Sequence, residues 1–320
     1  GARAADAVVA EPEAVEYVRV CDAYGAGFFY IPGTETCLKI GGYVRYQIDF
    51  AEGDDGWRKT SKAMLNVTAS SDTELGTLTS YIEMTATRTF SGDPFNGFGL
   101  DHAWISLGGL KMGYSDTLFD GDINGEFDSF GGAGVNFISY TFSGGNGFSA
   151  SLSLEEADRN VDYMPNVVGK LAYAAGSFDA RAWLAYDATW ETFHAKAIVG
   201  FKASDMITLQ VGGTYNEDPN PDFLNPSIYS NGYEWSLGGS VKAQINEKLA
   251  LTVGGQYFIN DIRDNLLIAD VYQGDDWAIG AVVDYTVVPG FTTKLAVNYR
   301  DGDSYVDGSF DGFLRFERSF

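Results

Sequence analysis

The sequence predicts an all-β protein: a closed antiparallel transmembrane β-barrel of 16 strands with short periplasmic turns and long extracellular loops. Three observations predict it. A two-residue hydrophobic period recurs from Leu38 to Phe320, the connections alternate between short and long, and no run of about eighteen apolar residues offers a membrane helix. Strand side chains alternate between faces, so a strand in a lipid-embedded barrel is apolar on one face only and never reaches the hydropathy of a spanning helix.

Bulk composition narrows the function classes. The 320 residues carry 21 Lys+Arg against 44 Asp+Glu, a formal charge of −23, which argues against a nucleic-acid partner. Aromatic residues at 15% and 39 glycines argue against an acidic disordered chain.

Residues 1–37 read as a periplasmic N-terminal segment preceding a barrel over 38–320. Ala2-Arg3-Ala4 has the small-x-small form of a signal-peptidase site, a cloning scar being the other reading. Glu11 to Val20 is expected to form a short helix starting at Pro12. Cys21 and Cys37 in an exported chain most simply form one disulfide, with two free thiols as the alternative. They lack the spacing of a redox pair.

The strands are expected near 38–50, 61–71, 76–88, 100–108, 109–115, 135–143, 148–155, 166–175, 178–187, 192–203, 207–216, 232–245, 249–259, 276–288, 291–300 and 309–320. In the first, Ile40, Val44, Tyr46, Ile48 and Phe50 oppose Lys39, Tyr43, Arg45, Gln47 and Asp49. Phe148, Ala150, Leu152 and Leu154 later oppose Ser149, Ser151, Ser153 and Glu155, and Tyr233, Trp235, Leu237 and Val241 oppose Glu234, Ser236, Ser240 and Lys242. Tight links such as Gly108-Gly109, Gly176-Ser177 and Asn246-Glu247-Lys248 alternate with long acidic links at 51–60, 89–99, 116–134, 156–165, 217–231, 260–275 and 301–308. A soluble sandwich has no reason to sort its loops by length in this way, whereas a barrel of the outer membrane does.

Charge decides which face meets lipid. Arg or Lys on a barrel's outer face costs roughly 2–4 kcal/mol at mid-bilayer. Arg45, Lys62, Lys111, Arg181, Lys196, Lys242, Lys294 and Arg315 must therefore point inward, where such an interior needs water. Aromatics at strand ends, among them Tyr186, Phe193, Tyr233, Trp235, Tyr257, Trp277, Tyr299 and Phe310, suit the two interface girdles. Closure requires the last run to pair with the first, and its end at Phe320 resembles the signal read by the outer-membrane assembly machinery.

Several segments resemble the general porins of the Brucella and Rhizobium group. They include residues 17–27, the cysteine-flanked Tyr30-Ile31-Pro32-Gly33-Thr34 with Cys37, then Gly42-Tyr43-Val44-Arg45-Tyr46, the run from Tyr140 to Ser149, Val287-Val288-Pro289-Gly290-Phe291 and the run from Arg315 to Phe320. The resemblance implies a homotrimeric diffusion porin of the bacterial outer membrane whose third extracellular loop folds into the pore.

The link 116–134 follows that loop in position. Its acids Asp116, Asp120, Asp122, Glu126 and Asp128 alternate with Phe119, Phe127 and Phe130, as though the rings anchor the loop to the wall while the carboxylates face water. Arg45, Lys62, Lys294 and Arg315 lie on runs that closure makes neighbours, so a basic wall is expected opposite the acids, with a transverse field between them. Mutual pairing of some of these charges is the blander expectation. The acid excess favours a mild preference for cations. Rim acids such as Asp54, Asp55, Asp218, Asp275, Asp301 and Asp303 either share divalent cations with lipopolysaccharide or only solvate the rim.

No enzyme is expected: His102 and His194 sit on the inward register with no nucleophile motif nearby, and a pore-lining role suits them better. No cofactor and no metal-ligand motif is expected either. The rival reading is a substrate-selective channel for a sugar or an anion, with inward Tyr43, Trp104 and Trp183 as stacking surfaces.

Overall fold

The computed structural model describes residues 19–54, 56–89, 97–157, 163–218, 227–261, 263–264, 271–272 and 274–320. The helix expected at Pro12 and the rim residue Asp55 lie outside them.

Sixteen strands close into one antiparallel barrel. In chain order they are β1 (Cys37–Ala51), β2 (Arg58–Thr73), β3 (Gly76–Arg88), β4 (Gly99–Leu107), β5 (Leu110–Asp116), β6 (Gly134–Ser143), β7 (Phe148–Glu155) and β8 (Asn166–Ala175). The second half comprises β9 (Phe178–Asp187), β10 (Thr192–Lys202), β11 (Ile207–Asn216), β12 (Tyr233–Gln244), β13 (Leu249–Asp261), β14 (Asp276–Val288), β15 (Phe291–Gly302) and β16 (Ser309–Ser319). Every barrel strand pairs with its sequence neighbours, and β16 returns to β1 with Arg315 opposite Gln47 and Glu317 opposite Arg45. The ladder runs on past β16: Phe320 N donates to Gly42 O at 3.0 Å and Gly42 N to Phe320 O at 3.1 Å. Each strand thus satisfies its backbone on both sides, which a hydrocarbon surrounding demands.

The expected spans match these within a few residues, and the second departs most. β2 begins at Arg58 rather than 61, because Arg58, Lys59 and Thr60 continue the ladder opposite Asp49, Ile48 and Gln47. Backbone hydrogen bonds do not require an apolar side chain, so pairing outruns the hydrophobic period. One irregularity interrupts the β3–β4 ladder: Glu83 pairs with His102 and Met84 with Leu100, leaving Asp101 as an extra, bulged residue.

The faces sort as the charge argument requires. Val44, Ile138, Leu152, Leu184, Val211, Leu237 and Val253 are exposed on the outside, while inward neighbours such as Ser153, Ser240, Thr252 and Asn298 are buried. A water-soluble barrel would show the reverse. Ring contacts link a belt at the long-link end through Tyr186–Phe193 (5.0 Å), Tyr215–Trp235 (4.5 Å), Trp277–Tyr299 (5.4 Å) and Tyr299–Phe310 (4.7 Å). Phe142, Phe148, Tyr173, Phe178, Phe201 and Tyr285 are exposed near the short-turn end. Tyr233 corrects its expected place in the girdle: its ring lies tilted at 31° with its centroid 4.5 Å from that of buried Phe258, and its hydroxyl donates to Asp276 at 2.7 Å. That carboxylate draws a phenol away from lipid.

At the short-turn end Cys21 and Cys37 are bonded, with Cα atoms 6.0 Å apart, and pack with Phe28 into a small buried cluster. Phe29–Tyr30 pairs with Leu38 and Cys37, so the N-terminal segment merges with β1 one residue earlier than the expected boundary at 38.

Candidate functional site

The largest buried apolar cluster lies inside the lumen, against the wall. Phe119, Ile123, Phe127 and Phe130 of the link 117–133 pack with Val168 of β8, Trp183 and Ala185 of β9, Ile198 of β10 and Tyr229, which precedes β12. The link leaves β5 at the long-link end and folds back into the barrel. The expected division of labour holds for its rings: Phe119, Phe127 and Phe130 are all at most 1% exposed.

Polar hooks fix the loop along its length. At its root Thr117 Oγ1 and Leu118 N donate to buried Glu155, at 2.5 and 2.8 Å. Midway, Asn124 N donates to Gln210 Oε1 at 2.7 Å, and Ser129 N donates to Gln256 Oε1 at 2.7 Å while Gln256 Nε2 donates to Ser129 O at 2.8 Å. Near the far wall Asn298 Nδ2 donates to Glu126 O at 3.0 Å. Glycines make room there: a Cβ on Gly254 or Gly280 would come within 2.5 or 2.8 Å of Phe127. Gly131 is required twice over, since its φ is +74° and a Cβ would meet Tyr229 O at 2.4 Å.

The acids divide into two groups. Asp120, Asp122 and Asp128 line a 480 Å³ cavity shared with Ser227, Ile228 and Ser230, on the side facing the long link before β12. Surrounding protein weakens their hydration and pushes all three carboxyls upward, with Lys196 pulling Asp120 and Asp122 back. Asp128 rises to about 6, through burial first and the neighbouring Asp122 second. Glu126 instead reaches the far wall and meets Lys294 at 2.6 Å. Asp116, exposed at the end of β5, lies 4.0 Å from His102.

The four residues of the expected basic wall are brought together. Lys294 stands opposite Arg315, and Arg45 stands opposite Lys62. They are interlaced with acids: Arg45 binds Glu317 at 2.7 Å, Lys294 also approaches Asp284 at 3.8 Å, and Arg315 Nε donates to Gln47 at 2.6 Å. Arg45, Lys294, Arg315, Asp284, Glu317 and Thr292 enclose a 220 Å³ recess. The loop tip therefore touches this wall instead of facing it across open water, and part of the expected field is spent in the Glu126–Lys294 pair.

Several inward residues prove to be covered or engaged. Lys196 is only 3% exposed: its ammonium donates to the carbonyls of Phe130 and Gly131 at 3.3 Å each and sits 4.4 Å from the Phe119 ring. It anchors the loop and does not line the water path. Buried His194 likewise exchanges hydrogen bonds with Asn216 and Ser227 beneath the Tyr229 ring. Trp183 donates to Leu118 O at 2.9 Å, and Trp104 is stacked on Tyr81 at 5.1 Å. Lys111 lies 4.5 Å over the Trp104 ring, Arg181 is 3.6 Å from Asp179, and Lys242 stands on the inward face of β12 between Thr208 and Thr252. At the rim, Asp275 accepts from Tyr257 and Asn260, and Asp301 from Tyr299.

Glu155 and Asn298 read in sequence only as inward polar positions and Gln210 and Gln256 carry no reading at all, although all four hold the loop. Their only signal is an uncharged amide or a lone acid at an inward position of a strand.

Comparison with known proteins agrees with the barrel fold. The family model described as "Porin subfamily" matches residues 6–313. Porin Omp2b of Brucella abortus (strain 2308) is 38% identical over 364 aligned residues, spanning 100% of this chain and 95% of the relative. Porin Omp2b of Brucella melitensis biotype 1 is 37% identical with the same coverage. Among solved structures, the outer membrane channel DcaP of Acinetobacter baumannii superposes with a TM-score of 0.68 at 16% identity, covering 91% of this chain and 99% of that one. The anion-selective porin from Comamonas acidovorans gives a TM-score of 0.59 at 13% identity, covering 89% and 100%. At such identities these two likenesses concern the fold alone.

Proposed function

The chain belongs to the porin subfamily and is a channel of the outer membrane, not an enzyme, and from that we propose that small hydrophilic solutes and ions cross its lumen by passive diffusion with a mild preference for cations. The link 116–134 acts as the constriction, held across the barrel by its buried rings. The carrying observation is the docking of Phe119, Phe127 and Phe130 against the inner wall, which leaves Asp120, Asp122 and Asp128 on a water-accessible cavity. Carboxylates facing water inside a low-dielectric wall raise the local cation concentration. On the opposite wall Arg45 and Lys294 are paired with Glu317, Glu126 and Asp284, which removes two of its cations from competition with the loop acids and supports the preference for cations.

A selective anion or sugar path is less well supported. The Comamonas porin is anion-selective by its description, but here Arg45 and Lys294 are paired with acids. Trp183 is covered and a face of Trp104 is taken by Tyr81, which removes two of the three rings that a stacking surface would use.

The family also supports a homotrimer in contact with lipid and lipopolysaccharide. Single-channel recording in planar bilayers under a potassium chloride gradient tests the channel reading. The expected result is an ohmic conductance and a reversal potential of the sign set by potassium. A chloride-signed potential, or saturable block by one sugar, would overturn it.

A further inference from the structure

The β3–β5 wall carries a cluster that the constriction does not use. Glu83, Asp101 and His102 each present one ligand atom, and these atoms all lie within 4.8 Å of one another. Neighbours on a regular strand point to opposite faces. The bulge at Asp101 relaxes that rule and brings Asp101 and His102 to the same place opposite Glu83. His102 Nε2 stands 4.0 Å from Glu83 Oε1 and 4.0 Å from Asp116 Oδ2, too far for a hydrogen bond to either.

For two of the three groups an outer partner occupies the atom turned away from the cluster. Ser115 Oγ meets His102 Nδ1 at 2.9 Å, leaving Nε2 to face the cluster. Tyr81 donates its hydroxyl to Glu83 Oε2, leaving Oε1 to face the cluster. Such partners orient ligands and fix the imidazole tautomer in metal sites.

We propose that Glu83, Asp101 and His102 form a binding site for a first-row transition-metal dication such as Zn²⁺, with water completing the shell. An imidazole nitrogen among carboxylates suits these ions, whereas Mg²⁺ and Ca²⁺ prefer oxygen throughout. Zinc bonds of about 2.0–2.2 Å place tetrahedral ligands roughly 3.4 Å apart, so the 4.0 Å separation of His102 and Glu83 must close by roughly 0.6 Å and the widest separation in the cluster, within 4.8 Å, by up to roughly 1.4 Å, which side-chain rotation supplies. Asp116, which ends β5 at the root of the loop 117–133, lies 4.0 Å from His102 and so beside the site.

Calorimetric titration of the folded full-length protein in detergent with Zn²⁺ alone tests the site. The expected result is one Zn²⁺ per chain, at least tenfold weaker in His102→Ala and in Glu83→Gln, and not displaced by a hundredfold excess of Mg²⁺. Ser115→Ala is expected to weaken binding about 10–100-fold without touching a ligand. Equal binding by the wild-type chain and His102→Ala, or displacement by equimolar Mg²⁺, would overturn the proposal. Should His102→Ala fail to fold, zinc-edge absorption of the wild-type chain decides, imidazole scattering supporting the site and an oxygen-only shell overturning it.

Discussion

Asp128 shows how the fold adjusts a single charge. Burial and Asp122 push its carboxyl up to about 6, and Asp120 and Asp122 move in the same direction. These groups are charged above their raised values and lose charge as pH falls, earlier than an ordinary carboxylate near 4. Cation preference, read as reversal potential in a salt gradient, is therefore expected to decline between pH 7.5 and pH 5, and Asp128→Asn is expected to weaken it at pH 7.5 and to remove part of the decline. The linked effect on docking has the opposite sense. A raised value means the neutral form suits the folded loop, so Asp128's contribution is full below its unfolded value and is lost as pH rises through about 6. Lys294→Met removes the partner of Glu126 and is expected to raise both conductance and cation preference, measured on single channels. Which charges would pair was illegible in sequence, because Glu126 and Lys294 stand 168 residues apart. Inward parity was legible for Lys196, His194 and Trp183, but parity does not tell whether a loop covers the position.

At the scale of elements, the loop 117–133 depends on rings that meet bare backbone. Phe127→Ala is expected to cost docking about 3–5 kcal/mol, as for a buried Phe, and to appear as conductance noise from a loop that leaves the wall. Gly280→Val, whose Cβ would fall 2.8 Å from Phe127 Cβ and crowd the Asn298 side chain, with no backbone atom among its nearest contacts, is expected to displace the same loop while leaving the strands paired. The split between anchoring aromatics and wetted acids could be read from residues 116–130, since only one pattern places three Phe and five carboxylates usefully in a pore. Its hooks could not. Gln210 and Gln256 look like any other inward polar residue until the loop arrives. Strand faces were more legible, because a register slip of one residue would turn every apolar side chain into the lumen. Leu237→Arg, on the outward face of β12, is expected to lower folding stability by about 2–4 kcal/mol in lipid, while Ser240→Arg on the inward face changes conductance instead.

For the whole molecule, closure converts a local period into a pore. Pairing of β16 with β1 gathers Arg45 and Arg315, from opposite ends of the chain, around one recess, and it leaves the polar faces no medium but water. That gathering was legible because the last run and the first must meet; the bulge at Asp101 was not, since adjacent residues are read as opposite-facing until a ladder shows otherwise. The most direct measurement is nitroxide labelling of β1 at positions 44 to 47, comparing quenching by oxygen dissolved in lipid with quenching by a water-soluble nickel chelate. Oxygen access is expected to peak at Val44 and Tyr46 and nickel access at Arg45 and Gln47, a period of two with opposite phases. Profiles that rise and fall together, or show no period, would contradict a lipid-coated wall around a water-filled lumen.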